Sequence, residues 1–374
     1  MADSNQGKFA YDFEQPIVEI EKEIRELTER DPAQSGAEEG RDISQRVQAL
    51  EERRDELLEE TFENLTAYQR VLLARHPARP HPTDYVASLF ENFMELHGDR
   101  RFGDDRAIVT GLGRLEEHKV MVVAMHKGKE TEQKLEANFG MPQPEGYRKA
   151  LQKMQLAEKF ALPVVCLIDT PGAACAVDAE ERGQAMAIAE NIFTMSRLAT
   201  PIVILVTGEG CSGGALGIGV GDRFAMLENA YYSVITPEGL AAILWKDGEK
   251  GAEAAEAMKL TAADMLEAGI IEQIVPEPLG GAHRDPQTTT RNVEAYLTDT
   301  LDELTAMPVD RLLEERYRRY RRLGVFRQAQ PARTEESTEA EEPAETRTTK
   351  TEEPPPAPES AAEEPPTEPG QQTA

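Results

Sequence analysis

Near the start of the chain, Ile17, Ile20, Ile24 and Leu27 recur at helical spacing with charged residues between them, which predicts an amphipathic helix. Asp31-Pro32 and the small-residue run from Ser35-Gly36 to Gly40 interrupt the pattern, as turn-forming residues do. It resumes at Ile43, Val47, Leu50, Leu57, Leu58, Phe62 and Leu65. The expected element is a helical hairpin that packs or caps and has no chemistry of its own. Between Arg75 and Pro82 come Pro77, Pro80 and Pro82. Proline removes backbone donors and restricts the residue before it, so this segment reads as a connecting arm.

A globular part follows, from about Thr83 to about Phe326, in which apolar runs alternate with helical patterns. Strands are expected at Lys119–Met125, Pro163–Asp169 and Pro201–Thr207, with shorter ones at Arg223–Leu227 and Tyr232–Thr236. Helices are expected at Gly146–Phe160, at Ala179–Ala199 as one long element, and from Ser212 to Gly219. Continuous apolar strands separated by helices imply a largely parallel sheet covered on both faces, hence an α/β fold. After Pro237 the pattern is helical through Leu266, with Trp245, the single tryptophan, expected in the core. A final amphipathic helix over Asp310–Leu323 sets Leu312, Leu313, Tyr317, Tyr320 and Leu323 on one side. Its arginines (Arg311, Arg316, Arg318, Arg319, Arg321, Arg322) fit docking on the body better than nucleic-acid contact.

Charge sharpens the division into domains. The net charge is −28, and residues 329–374 hold twelve Glu against Arg333, Arg347 and Lys350, a share of −9. The other 328 residues therefore have −19, which disfavours non-specific nucleic-acid binding. From Gln328 onward the chain is Pro, Glu, Thr and Ala with almost no large apolar residue. It cannot bury enough surface to offset its ordering entropy, so disorder is expected there. The resulting organisation is a hairpin and arm over 1–80, an α/β domain over 81–327 and a tail over 328–374. No basic-then-apolar leader and no span of roughly 20 apolar residues is visible. Cys166, Cys175 and Cys211 are too few and too scattered for a disulfide framework or a four-ligand zinc site. The expectation is a reduced cytoplasmic protein without membrane span or structural metal.

Candidate chemistry lies in two glycine-rich stretches. One runs Thr170-Pro171-Gly172-Ala173-Ala174-Cys175-Ala176-Val177-Asp178, and the other Gly208-Glu209-Gly210-Cys211-Ser212-Gly213-Gly214-Ala215. Each follows a predicted strand and precedes a helix, where ligands bind in open α/β sheets. Glycine allows close backbone approach, and free amides at a helix start add the positive end of its dipole. Two such stretches can converge on one oxygen as an oxyanion hole. Neither fits GxxxxGK[ST] or GxGxxG, so ATP or NAD binding by this chain is not expected.

The run IDTPGA…AEERGQA, then GEGCSGGALGIGVGD, YSVITPEGLAAILWK and IVPEPLGGAHR, resembles the alpha carboxyltransferase subunits of bacterial and plastid multi-subunit acetyl-CoA carboxylases. DFEQPI, LARHPARP and NFGMPQPEGYRKAL match as well, and the resemblance covers about Tyr11 to Gly324 in order. It implies a crotonase-like (ClpP/crotonase) spiral of ββα units. It also implies a separate beta subunit, usually in a two-plus-two heterotetramer. The implied reaction moves a carboxyl group from carboxybiotin, held on a biotin carboxyl carrier protein, to acetyl-CoA. The product is malonyl-CoA, in the first committed step of fatty acid synthesis within an ATP-dependent holo-complex. Backbone amides of Gly172, Ala173, Gly213 and Gly214 become the expected donors to the biotin oxygen. Lys127 and Lys129, just past a strand, are candidate contacts for an anionic substrate. No metal is expected in this chain.

The chain departs from the family's usual TPGAYPGVGAEERGQ at Ala174-Cys175-Ala176 and Asp178, and from GEGGSGGA at Cys211. Met125-His126-Lys127-Gly128-Lys129 stands where the family reads HQKGR. Were the backbone at 211 left-handed, the cysteine β-carbon would cost about 1 kcal/mol. Cys175 and Cys211 sit in the two stretches and read as small space-filling thiols, the alternative being that they approach one another and respond to oxidation. Glu180, Glu181 and Arg182 start a helix, where the carboxylates suit the dipole, and His126 is a general-base candidate without a nameable partner. Competing readings are a serine hydrolase using Ser212 in a G-x-S-x-G elbow with His283, a single-chain crotonase enzyme, and a non-catalytic scaffold for a beta subunit.

Overall fold

A computed structural model describes residues 9–29 and 37–324; the expected break over 31–36 and the expected disorder from 328 lie outside the described residues. The hairpin is present as α1 (Gln15–Thr28) and α2 (Ala37–Glu63). Gly40, expected in the break, lies within α2. Ile17 and Phe62 are buried together with Leu73 of α3 (Ala67–Ala74). Thr66 starts α3 with a reciprocal cap: its hydroxyl accepts the Gln69 amide at 3.2 Å, and Gln69 Oε1 accepts the Thr66 amide at 2.8 Å. The arm is non-helical through His81, and Pro82 opens α4 (Pro82–Leu89) in the first turn, where its missing donor is harmless.

Strands β1 (Glu91–Glu95), β2 (Ile108–Leu115) and β3 (His118–Met125) form an antiparallel meander. Helices α5 (Thr131–Glu136) and α6 (Pro144–Lys159) lead to β4 (Val164–Thr170), then α7 (Val177–Glu181), α8 (Gln184–Met195) and β5 (Ile202–Cys211). After these come α9 (Ser212–Leu216), β6 (Arg223–Leu227), β7 (Tyr231–Ser233), α10 (Pro237–Trp245), α11 (Gly251–Met258), α12 (Ala262–Glu267) and β8 (Gln273–Val275). Helices α13 (Pro286–Thr305) and α14 (Val309–Arg322) complete the described chain. The strand order is β1-β2-β3-β4-β5-β6-β8, parallel from β3 onward, with β7 added alongside the end of β5. The expected parallel α/β sheet is therefore observed, with an antiparallel edge. Val120–Met125, β4 and β5 are buried along their lengths, as strands covered on both faces must be.

Several expectations differ: the strand expected at Tyr232–Thr236 is Tyr231–Ser233, and the helix from Ser212 ends at Leu216. The long helix over Ala179–Ala199 is two helices, because Gly183 takes φ +81° at the start of α8. The helical stretch after Pro237 is broken at Lys246 and Lys259, both left-handed. Trp245, at the first of these breaks, is 41% exposed and not in the core, beside exposed Ile243 and Leu244. The last helix does dock. Arg316 is buried, gripping Asp222 at 2.8 and 2.7 Å, and donates to the carbonyls of Met195, Leu198 and Thr200. Among the described residues no helix is long and apolar enough to cross a membrane.

Candidate active site

The first glycine-rich turn begins where β4 ends. The Thr170 hydroxyl lies 2.7 Å from the Gly140 carbonyl and 2.8 Å from that of Gly172, and accepts the Gly172 amide at 3.1 Å. The Ala174 amide donates to Pro142, and Gln184 Nε2 donates to the Pro142 and Ala174 carbonyls. Gly172 has φ +148°, a conformation open to glycine. These bonds fasten the turn and commit the Gly172 amide internally. No hydrogen bond among the described residues uses the Ala173 amide.

The second stretch is not a loop. Strand β5 runs on through Gly208-Glu209-Gly210-Cys211, whose last three residues pair with Tyr231, Tyr232 and Ser233 of β7. The chain turns at Ser212, the residue with φ +58°, and α9 starts there. Cys211 itself is extended at φ −111°, so its β-carbon causes no backbone strain. Its buried sulfur lies 3.8 Å from the Ser233 hydroxyl, whereas Cys175 is exposed. At the start of α9 the Gly213 and Gly214 amides have no partner among the described residues, as expected for the first turn of a helix.

The two turns meet backbone to backbone. A β-carbon on Gly214 would lie 2.5 Å from the Gly172 carbonyl carbon and 2.7 Å from the Ala173 nitrogen. The Gly214 carbonyl is held by the Tyr147 hydroxyl at 3.1 Å. Ala173, Gly213 and Gly214 are thus brought together, and Gly172 shapes the turn beside them.

Beneath the turns lies a charge network that the sequence reading missed. Lys127 Nζ is 2.5 Å from Asp169 and 2.7 Å from Glu209, with 15% of its side chain exposed. Glu209 also accepts from Arg75 at 2.7 Å and from the Tyr231 hydroxyl at 2.6 Å, and Arg75 continues to Glu238 at 2.9 Å. Burial would raise the Glu209 carboxyl, but Lys127 and Arg75 outweigh it and hold it at about 2. Burial likewise opposes the Lys127 ammonium, yet Asp169 and Glu209 raise its pKa above the ordinary value. Lys127 therefore meets two internal carboxylates rather than standing free for a substrate anion. Lys129 is exposed and pairs with Asp84 at 2.7 Å. A carboxylate inside a fully buried strand such as β5 requires a cation; that rule was the available signal for Glu209.

The remaining candidates have structural partners. Arg182 binds Glu145 at 2.8 Å, Asp178 at 3.1 Å and Gln143 at 3.1 Å, and lies over the Phe102 ring. Asp178 thus braces the turn from α7. His126 Nδ1 faces the Thr83 hydroxyl at 3.3 Å, with its pKa lowered by burial. Among the described residues, Glu14, His76 and His283 form the one grouping with metal-ligand spacing. Two of their ring nitrogens, His76 Nε2 and His283 Nδ1, are buried without a hydrogen-bond partner among the described residues. His76 Nδ1 accepts the Ala78 amide at 3.1 Å, which assigns the ring proton to Nε2 in the neutral form. His283 Nε2 lies 2.9 Å from Glu14, and the two rings stack at 3.9 Å. Neutral His76 with its proton on Nε2 has no lone pair there for an ion, whereas His283 Nδ1, with Nε2 donating to Glu14, keeps one. Ser212 and His283 share no hydrogen bond among the described residues, so the elbow lacks its base.

The sheet topology defines a crotonase-like α/β protein. The family model for acetyl co-enzyme A carboxylase carboxyltransferase-like proteins matches residues 10–324, and the chain belongs to that family. It is 52% identical over 315 residues to the acetyl-coenzyme A carboxylase carboxyl transferase subunit alpha of Methylococcus capsulatus, covering 84% of this chain and 97% of the relative. The subunit of the same name from Thermus thermophilus is 51% identical over 315 residues, covering 84% and 98%. Among solved structures, the transcarboxylase 12S hexamer core with methylmalonyl-coenzyme A bound shares the fold. Its TM-score is 0.51 at 16% identity, with 68% of this chain and 44% of that chain covered.

Proposed function

We propose that this chain is the alpha subunit of an acetyl-CoA carboxylase carboxyltransferase, working with a beta subunit in the cytoplasm. Carboxybiotin, presented on a separate carrier protein, supplies the carboxyl group, and acetyl-CoA receives it to give malonyl-CoA. The observation that carries the reading is the junction of the two turns at Gly214 and Gly172. The Ala173, Gly213 and Gly214 amides would hold the oxygen that gains negative charge as the carboxyl group leaves. Gly172 contributes shape, since its own amide serves Thr170. Preset backbone donors need no reorganisation as charge develops, and each typically accounts for about 2.7–4 kcal/mol of barrier lowering. No side-chain nucleophile is required, which fits a site whose exposed Ser212 has no base.

The beta subunit would provide the acyl-CoA half of the site, in a two-plus-two assembly. The test is malonyl-CoA formation from carboxybiotin by this chain with and without its beta subunit. Transfer only in the presence of both is the expected result. Transfer by this chain alone, or none by a well-formed complex, contradicts the reading.

A further inference from the structure

We infer that Lys127 is a positioning residue for carboxyl transfer: its ammonium pins the strand end before one turn to the strand end before the other. Asp169 immediately precedes Thr170, the residue that fastens the first turn, and Glu209 lies in β5 three residues before Ser212, where the second turn starts. Both carboxylates contact the one ammonium, at 2.5 and 2.7 Å. The Glu209 amide also donates to Asp169 at 2.9 Å, so the two strand ends are already in register. No side chain other than hydrogen fits between them, because a β-carbon on Gly208 would lie 2.6 Å from Asp169 Oδ1. The stem of Lys127 acts on the first turn as well. It packs on Gly140, where a β-carbon would fall 2.5 Å from Lys127 Cγ, and the Gly140 carbonyl receives the Thr170 hydroxyl.

Without the ammonium, two buried carboxylates would face each other across the junction, and like charges in that setting repel strongly. The strand ends would separate, carrying the Ala173 amide away from those of Gly213 and Gly214. A misplacement of about 1 Å costs on the order of 100-fold in rate. The network extends to the N-terminal helices, because Glu209 also holds Arg75 and Arg75 holds Glu238.

The inference rests on the carboxyl-transfer reading, and its test uses the full complex with the beta subunit and carrier. K127M is predicted to lower kcat by roughly 10- to 100-fold with KM for both substrates within about twofold of wild type, because geometry is lost and not binding. K127M/E209Q is predicted to recover several-fold of that loss. One charge of the facing pair is gone, and the Gln amide can donate to Asp169 from the Glu209 side. Hydrogen–deuterium exchange across residues 170–176 and 208–216 is predicted to speed up in K127M and slow again in the double variant. A lysine that touched substrate would instead raise KM, and E209Q would not rescue it; that pattern overturns the inference. Wild-type kcat in K127M also overturns it. If K127M does not assemble, E209Q alone is predicted to reduce kcat several-fold at constant KM, and an unchanged kcat refutes the pin. A wild-type complex that transfers no carboxyl group would instead count against the carboxyl-transfer reading, and the pin would fall with it.

Discussion

Gly214 and Gly172, 42 positions apart in the chain, press together so closely that a β-carbon on the first would lie 2.5 Å from the carbonyl carbon of the second. This contact sets the start of α9 against the turn after β4. Gly213, the adjacent residue, has no such constraint: a β-carbon there would meet only Ile188 Cδ1 at 3.5 Å, an ordinary contact.

The thiols differ in access, and this predicts their reactivity. Cys175 is exposed, while Cys166 and Cys211 are buried. Burial also pushes the Cys166 thiol up to about 12 and raises that of Cys211, further lowering the thiolate fraction. A thiol titration of the native protein should show one fast-reacting group, lost in C175S, and three after denaturation. Equal peroxide sensitivity of wild type and C211S would follow from the same burial. A native Cys175–Cys211 disulfide would contradict this account.

Arg316 anchors the last helix. It is fully buried, with Asp222 and three backbone carbonyls as partners. R316M leaves Asp222 buried without its cation, and breaking such a pair costs about 3–5 kcal/mol. Urea unfolding should show a loss of that size. By contrast R318M, in an exposed pair with Glu314, should change stability by less than about 1 kcal/mol.

Acid should destabilise the fold in two windows. Burial, with His283 beside it, pushes the His76 pKa down from 6.5 to about 4. The unfolded chain therefore binds more protons than the folded one between those values, so stability falls as pH drops from about 6.5 to about 4. H76N should flatten this part of the curve. Glu209, held at about 2 against an ordinary 4.5, contributes stability that is present above about 4.5 and lost as pH falls toward 2. Burial raises the Asp105 pKa to about 6 and so acts in the opposite direction over part of the same range. Unfolding free energies across pH 2–7 are therefore to be compared between wild type and H76N; equal slopes between pH 4 and 6.5 would contradict the first window.

Much of the fold was legible because its central strands are continuous apolar runs. PVVCLID and PIVILVT can hardly be anything but buried strands, and the helix pattern between them fixed the parallel order. The second turn was misplaced for a local reason. Gly-Glu-Gly reads as a loop by composition, but β7 pairs with it and extends β5 to Cys211. The left-handed residue is accordingly Ser212, and Cys211, extended, has no strain at its β-carbon. The helix break at Gly183 was invisible because glycine costs a helix only about 1 kcal/mol, and periodicity alone does not reveal a left-handed cap. Lys127, Glu209 and Arg75 come together across separations of 82 and 134 residues, which periodicity does not encode. The family resemblance suggested the site's chemistry, while the pairing of Lys127 with Asp169 and Glu209 was visible only in the structure.

The most direct measurement is carboxyl transfer by complexes containing G214A or G213A, compared with wild type. The account predicts that G214A, whose methyl group strikes the Gly172–Ala173 backbone, loses at least roughly 100-fold in kcat. G213A, which keeps its amide and has room for a methyl group, should stay within about threefold of wild type. Near wild-type turnover by a correctly assembled G214A complex would contradict the claim that the joined turns form the site.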